Sequence, residues 1–270
     1  MSEELINKVL AEVVKKMGGD APAPSAAPAP TPAPTPAAEA LPAVTEFVGT
    51  NVLGDTIGMV IANVDPKLRA MMKLEKDFRS IGILGARTGA GPHIFAADEA
   101  VKATNSEILT IELPRDTKGG AGHGSLIIFG AEDVSDARRA VEVALGELDR
   151  TFGDVYGNDA GHLEFQYTAR ASYALNKAFG APIGKAFGIT VGAPAGIGVV
   201  LADTAVKAAT VDVIGYASPA GGTSYSNEVI SFLSGDSGAV RQAIIAAREV
   251  GIPLLGALGA KPESTTTPYI

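Results

Sequence analysis

Along the first seventeen residues the apolar positions Leu5, Ile6, Val9, Leu10, Val13, Val14 and Met17 fall on one stripe of a helix of 3.6-residue period. Ser2 with Glu3 and Glu4 supplies a start, and Lys15 and Lys16 ahead of Gly18 and Gly19 supply a stop, so residues 1–19 are predicted to form an amphipathic helix. The pattern then vanishes. Residues 20–44 are almost wholly Ala, Pro, Ser and Thr, a composition that cannot pack a core. Such a segment favours extended polyproline II and, at about 3.1 Å per residue, spans roughly 60 to 70 Å. A helix on so long a tether is expected to meet another molecule rather than its own domain, weakly as one copy and more firmly when many copies are displayed together.

From Thr45 to Lys261 short apolar runs alternate with helical stretches, and the whole order occurs twice. Ala97-Asp98-Glu99-Ala100-Val101-Lys102-Ala103-Thr104 returns as Ala202-Asp203-Thr204-Ala205-Val206-Lys207-Ala208-Ala209, an offset of 105 that also carries Gly130 onto Gly235. Each copy predicts a Gly-Ile strand (Ile81 to Leu84; Phe187 to Thr190), a helix, a strand (Glu107 to Glu112; Val211 to Tyr216), a Gly-rich loop and a second strand (Ser125 to Phe129; Val229 to Leu233). A long helix closes each copy, Asp133 to Leu148 or Gly238 to Val250. Each half also opens with a strand and helix of its own: Met59 to Val64 with Pro66 to Leu74, and Leu163 to Thr168 with Ser172 to Phe179. Two domains are expected, 45–152 and 153–262, followed by a tail at 263–270.

Charge and composition narrow the functions. A net charge of −8 argues against a nucleic-acid or anionic-membrane surface. No apolar run approaches the roughly 18 to 20 residues that cross a bilayer, and the acidic start is unlike a secretory signal, so a cytoplasmic protein is expected. The absence of cysteine excludes disulfides, thiolate metal sites and a cysteine nucleophile, and no cofactor is expected.

Three patterns invite an enzymatic reading. Gly85-Ala86-Arg87-Thr88-Gly89-Ala90-Gly91 has the setting of a phosphate loop, but it lacks the Lys-Ser/Thr pair, and Ile94 stands where a third glycine belongs. Gly235-Asp236-Ser237-Gly238 looks like a nucleophile turn, yet a helix follows at once, so Asp236 and Ser237 read better as a cap. His93, His123 and His162 lack metal-ligand spacing and are expected in turns or on the surface. No catalytic residue and no metal site is assigned.

The runs 202–209, 211–216 and Gly235-Asp236-Ser237-Gly238-Ala239-Val240 closely resemble the signature of the bacterial microcompartment shell domain, and 97–112 with 130–144 are a more divergent second copy. The strand and helix that open each half resemble the circularly permuted form of that domain. The tethered helix and the run Ser80 to His93 are similar to the tandem, trimer-forming branch. The resemblance implies an α/β (α+β) fold of two permuted shell domains, each a small, mainly antiparallel sheet flanked by helices.

It further implies a structural, non-enzymatic role. Three chains form a pseudohexameric tile, and tiles pack edge to edge with other shell proteins around diol or glycerol dehydratase and its companions. The lysines of the repeated Asp-x-x-x-Lys motif, Lys102 and Lys207, are then tile-edge residues. The Gly-rich loops are expected to line openings for small diols or glycerol. Candidate residues are Lys118, Gly119, Gly120, His123 and Ser125 in the first, and Ser218, Gly221, Gly222, Thr223, Ser224, Ser226 and Asn227 in the second. Leu5, Ile6, Val9, Leu10, Val13 and Val14 become the face that contacts enclosed enzymes. A two-lobed small-molecule-binding protein and an oligomeric enzyme with its site at the Gly-rich loops are the rival readings.

Overall fold

The structure, a computed structural model, describes residues 44–74, 76–114, 123–221 and 227–270. The predicted N-terminal helix, nearly all of the tether, Lys118, Gly119, Gly120, Gly222, Thr223, Ser224 and Ser226 lie outside the described residues.

Each half is built on one antiparallel sheet. The first holds β1 (Phe47–Asn51), β2 (Thr56–Ile61), β3 (Ser80–Ala86), β4 (Glu107–Glu112) and β5 (Ser125–Ala131) in the order β1-β2-β3-β5-β4. The second holds β6 (Val155–Asn158), β7 (Gly161–Thr168), β8 (Ala186–Ala193), β9 (Asp212–Ala217), β10 (Val229–Gly235) and the short β11 (Glu263–Ser264) in the order β11-β6-β7-β8-β10-β9. The helices are α1 (Pro66–Met71), α2 (Ala90–Ala103) and α3 (Val134–Thr151) in the first half, and α4 (Tyr173–Phe179), α5 (Ala195–Ala208) and α6 (Ser237–Gly256) in the second. The repeat extends to irregularities: the β4/β5 ladder slips around Leu109, and the β9/β10 ladder slips around Ile214, 105 residues on.

One glycine of each central strand sets how closely the long helix lies on its sheet. A Cβ at Gly82 would stand 2.6 Å from the Ala137 carbonyl oxygen of α3, and one at Gly188 about 3.0 Å from Val240 and Ile244 of α6. The bare strand lets helix backbone approach where a side chain would hold it off. Above Gly82 and Gly188, α3 buries Ala137, Val141, Ala144 and Leu148, and α6 buries Val240, Ile244 and Ala247.

Several boundaries differ from the sequence expectation. Each half opens with a hairpin rather than a single strand, because β1 and β6 pair with β2 and β7, which start earlier, at Thr56 and Gly161. The helix α1 stops at Met71 rather than Leu74, where Lys73 takes a positive φ of 54°. α3 runs to Thr151, and α6 runs to Gly256 through Pro253 rather than stopping at Val250. Gly251 and Pro253 read as stop signals, but Gly251 faces Leu201, Phe165 and Leu163 with no room for a Cβ, and Leu255 beyond it is buried, so packing holds the last turn in place.

Residues 263–270 return to the body. β11 pairs with β6, the Tyr269 and Ile270 amides donate to Asp154 (2.8 and 3.0 Å), and Arg248 donates to both Asp154 and the Ile270 carbonyl oxygen.

Candidate functional site at the seam between the halves

The apolar cores of the two halves are not separate. Phe95 of α2 stacks on Phe187 of β8 at 5.9 Å, and Phe187 continues to Phe179 and Phe232, so one aromatic column crosses the seam. Asp98 of α2 ties it with polar contacts. Its buried carboxylate accepts from the Ser172 amide (3.0 Å) and the Leu175 amide (3.2 Å), capping α4 of the other half, and pairs with Lys102 at 2.9 Å. Ser172 provides no side-chain cap of its own, so the acceptor comes from across the seam. Burial pushes the Asp98 carboxyl above its ordinary value, while Lys102 and the two amides pull it back.

The second copy repeats this surface and leaves it bare. Ile94 and Phe95 are 0 % and 2 % exposed, whereas their counterparts Val199 and Val200 are 50 % and 41 % exposed. Ile108 is buried, yet Val213 is 53 % exposed, and the exposed Val206 and Tyr216 answer Val101 and Ile111. Among the described residues, Asp203 and Lys207 pair with each other, at 2.7 Å in solvent. The two predicted edge lysines are therefore unequal: the Lys102 side chain is 25 % exposed and shared between Asp98 and Glu99, and that of Lys207 is 73 % exposed. The complementary surface is also bare in the first half, where α1, the counterpart of α4, exposes Leu68 and Met71.

A small cleft of about 50 Å³ opens along the seam, lined by apolar side chains such as Ile94, Leu113 and Phe232 together with Glu164, Glu228 and His123. Burial, and then the Glu228 charge, push the Glu164 carboxyl up to about 7, with His162 pulling the other way. Both Gly-rich loops end here. Gly124 donates to the Pro114 carbonyl at 3.0 Å and closes the base of the first loop, while the His123 carbonyl accepts from Ala90 of α2 (3.1 Å). Ser218 and Gly221 exchange backbone hydrogen bonds (2.7 and 3.0 Å) at the start of the second loop, and Asn227 at its end accepts from the Ala195 amide at 3.3 Å. Ser125 is buried on β5, its hydroxyl without a hydrogen-bond partner among the described residues.

The enzyme-like motifs resolve into structural parts. The Arg87 and Thr88 amides of the glycine loop donate to the Gly54 carbonyl, so they are spent inside the fold. Asp236 accepts from Gly238 as the cap of α6, and the Ser237 hydroxyl meets Tyr167 at 2.6 Å. None of the three histidines is exposed: His123 does lie in a loop but is buried, His162 stands on β7, and His93 departs furthest from expectation. His93 is wholly buried in α2, with Nδ1 donating to the Gly89 carbonyl (2.6 Å) and Nε2 2.7 Å from the Thr56 hydroxyl; burial lowers its pKa to about 4. A neutral imidazole with both nitrogens bonded is tolerated in a core. Glu164, Glu228, Phe179 and Phe232 escaped sequence reasoning; the one signal was an acid inside the apolar strand Leu163-Glu164-Phe165.

Comparison with known proteins gives one consistent result. The family model described as the BMC domain matches residues 80–158 and 186–259. Each match begins at the Gly-Ile strand, β3 or β8, rather than at the hairpin that opens the half. The chain is 64% identical over 269 residues to the bacterial microcompartment shell protein PduB of Citrobacter freundii, covering 100% of this chain and 99% of that one. It is 55% identical over 227 residues to PduB of Limosilactobacillus reuteri, covering 84% and 95%. Among solved structures it is similar to a trimeric microcompartment shell protein PduB (TM-score 0.82, 55% identity, 84% of this chain and 100% of that one) and to EtuB from Clostridium kluyveri (TM-score 0.81, 58% identity, 85% and 100%).

Proposed function

The chain belongs to the BMC-domain family of bacterial microcompartment shell proteins, and from that premise we propose that three copies close head to tail into a pseudohexameric tile of a shell facet. It is a structural shell component and not an enzyme, as its relatives are named. The observation that carries the trimer is the mismatch between like surfaces: the apolar strip of α2 and β4 is covered by α4 within the chain, and the same strip on α5 and β9 is bare. The bare α1 of another copy supplies the missing cover. A heterologous contact of this kind closes into a ring when its rotation allows, and the similar PduB crystal structure is described as trimeric.

The Gly-rich loops whose ends meet at the seam line the openings for small polar metabolites, diols or glycerol. The neutral, hydroxyl-bearing second loop (Ser218, Thr223, Ser224, Ser226 and Asn227) is the better hydrogen-bonding surface for such solutes, and Ser224→Leu with Ser226→Leu slows their passage. The helix of residues 1–19 reaches enclosed enzymes on its tether, and Lys102 and Lys207 lie at the tile edge, Lys207 the freer of the two. The test is the solution mass of the full-length chain, followed by negative-stain imaging as concentration rises. Three times 27.4 kDa, growing into sheets, is the expected result; a monomer that never forms sheets overturns the reading.

A further inference from the structure

The cleft floor carries ionisable side chains that ring closure does not use. Glu164 stands on β7 with its carboxyl against the first turn of α2: a Cβ added at Gly91 would lie 2.8 Å from Oε2. It makes no hydrogen bond to a described residue. Two residues earlier, and so on the same face of the strand, His162 turns Nε2 to within 3.4 Å of the Glu228 carboxylate without hydrogen-bond geometry, and neither ring nitrogen has a hydrogen-bond partner among the described residues. Glu228, just ahead of β10, is as deeply buried as Glu164.

The remaining described wall residues carry no formal charge other than a histidine. α2 contributes Ala90, Gly91 and Ile94; β8 contributes Ile189 and Val191; β10 contributes Ile230 and Phe232; α4 contributes Phe179. Leu113 and His123 come from the two ends of the first loop. Among the described residues, the titratable groups facing Glu164 are therefore Glu228, His162 and His123. Two carboxyls lining one apolar enclosure cannot both ionise without a large cost.

We propose that Glu164, Glu228 and His162 form a proton-operated latch on the seam: with the Glu164 carboxyl protonated the second half stays closed on α2, and loss of that proton sets a second carboxylate beside Glu228 and loosens the cleft. The elevated pKa of Glu164, about 7, places the exchange in the neutral range. His123 ends one Gly-rich loop and Glu228 directly follows the other, so the latch sits where both loops are anchored. Its effect on passage rests on the proposed openings, whereas the proton exchange does not.

The experiment is hydrogen exchange of assembled full-length protein between pH 5.5 and 8.5, corrected for the intrinsic pH dependence and read over residues 88–96 and 227–233. Corrected exchange in both segments is expected to rise about tenfold with pH, the equivalent of about 1.4 kcal/mol of opening, and to stay flat in Glu164→Gln. Glu228→Gln, which removes the neighbouring charge, moves the midpoint to lower pH and provides a second variant should the first fail to fold. No rise in the unaltered protein, or the same rise in Glu164→Gln, overturns the latch. So does a Glu164 carboxyl carbon resonance that titrates below pH 5. Because the seam lies within one chain, a variant that cannot trimerise still reports on the latch, so failure of the ring and failure of the latch are distinguishable.

Discussion

Val200→Asp tests the ring at its most informative position. Val200 occupies on α5 the place of Phe95 on α2, and Phe95 is buried against Phe187 whereas Val200 is 41 % exposed. Fully burying such a side chain yields about 1.5 to 3 kcal/mol. Covering the exposed half of Val199, Val200, Val206, Val213 and Tyr216 therefore contributes on the order of 5 kcal/mol per joint, before the cost of association. A carboxylate at the centre of that strip removes one of the five contributions and adds the cost of desolvating an unpaired charge, several kcal/mol. At 1.4 kcal/mol per tenfold change, a loss of about 4 kcal/mol lowers the association constant roughly a thousandfold at each joint. Sedimentation equilibrium at micromolar chain is expected to give a monomer for Val200→Asp with an unchanged circular dichroism spectrum. Leu258→Asp, at an exposed apolar position beyond the end of α6, is expected to keep the trimer mass. A trimer with Val200→Asp, or equal dissociation by Leu258→Asp, refutes the reasoning.

Asp98→Ala leaves two α4 amides uncapped and removes the buried partner of Lys102. It is expected to cost about 3 kcal/mol and to lower Tm by roughly 6 to 12 °C in calorimetry; Asp203→Ala in a monomeric background stays within about 0.5 kcal/mol, because its pair is solvated. Gly82→Ala, whose Cβ meets a helix carbonyl, is expected to destabilise by about 1 to 3 kcal/mol, more than Gly188→Ala, whose Cβ meets movable side-chain atoms, in denaturant titrations. The folded pKa of Glu164 is raised from 4.5 to about 7, so its stabilising contribution is complete below 4.5 and is lost as pH rises through 7. Glu164→Gln therefore gains Tm relative to the unaltered chain between pH 5 and 8, and a constant difference contradicts the assignment. Deleting residues 1–43 is expected to leave the trimer mass unchanged and to release enclosed enzymes from purified shells, with unchanged retention counting against the helix role.

The two-sheet architecture was legible because the chain writes it twice. Matching anchors at an offset of 105 fixed the order of strand, helix, loop and strand, and the structure repeats even the slipped ladder at Leu109 and Ile214. The opening strands were not legible: Phe47–Asn51 and Val155–Asn158 are short, carry Gly49 and Gly157, and lack sustained alternation. They become strands because β2 and β7 offer free edges, a tertiary cause that local patterning does not carry. The end of α6 was misjudged for the same kind of reason, since burial of Leu255 outweighs Gly251 and Pro253. The two acids of the cleft were invisible because Glu164 and Glu228 are 64 residues apart and come to line one cleft only when β7 and the start of β10 flank β8.

The same limit explains why the two most alike segments have the most different surroundings. α2 and α5 share Asp, Val and Lys at matching places, and no property of either sequence says which will be covered. What differs is the next element in the chain. α2 is followed, within the same polypeptide, by a second half whose α4 reaches back to it, while among the described residues no copy of that helix follows α5. An apolar strip repeated in sequence but covered in one copy only among the described residues points to assembly: in the proposed ring the bare copy takes its α4 equivalent from another molecule, and α1, with Leu68 and Met71 exposed, is the part offered for that place. In that proposed ring, fusing two domains settles half of the six joints inside the chain and leaves the other half to concentration. For that reason substitutions at Asp98 should act on folding, and those at Val200 on assembly.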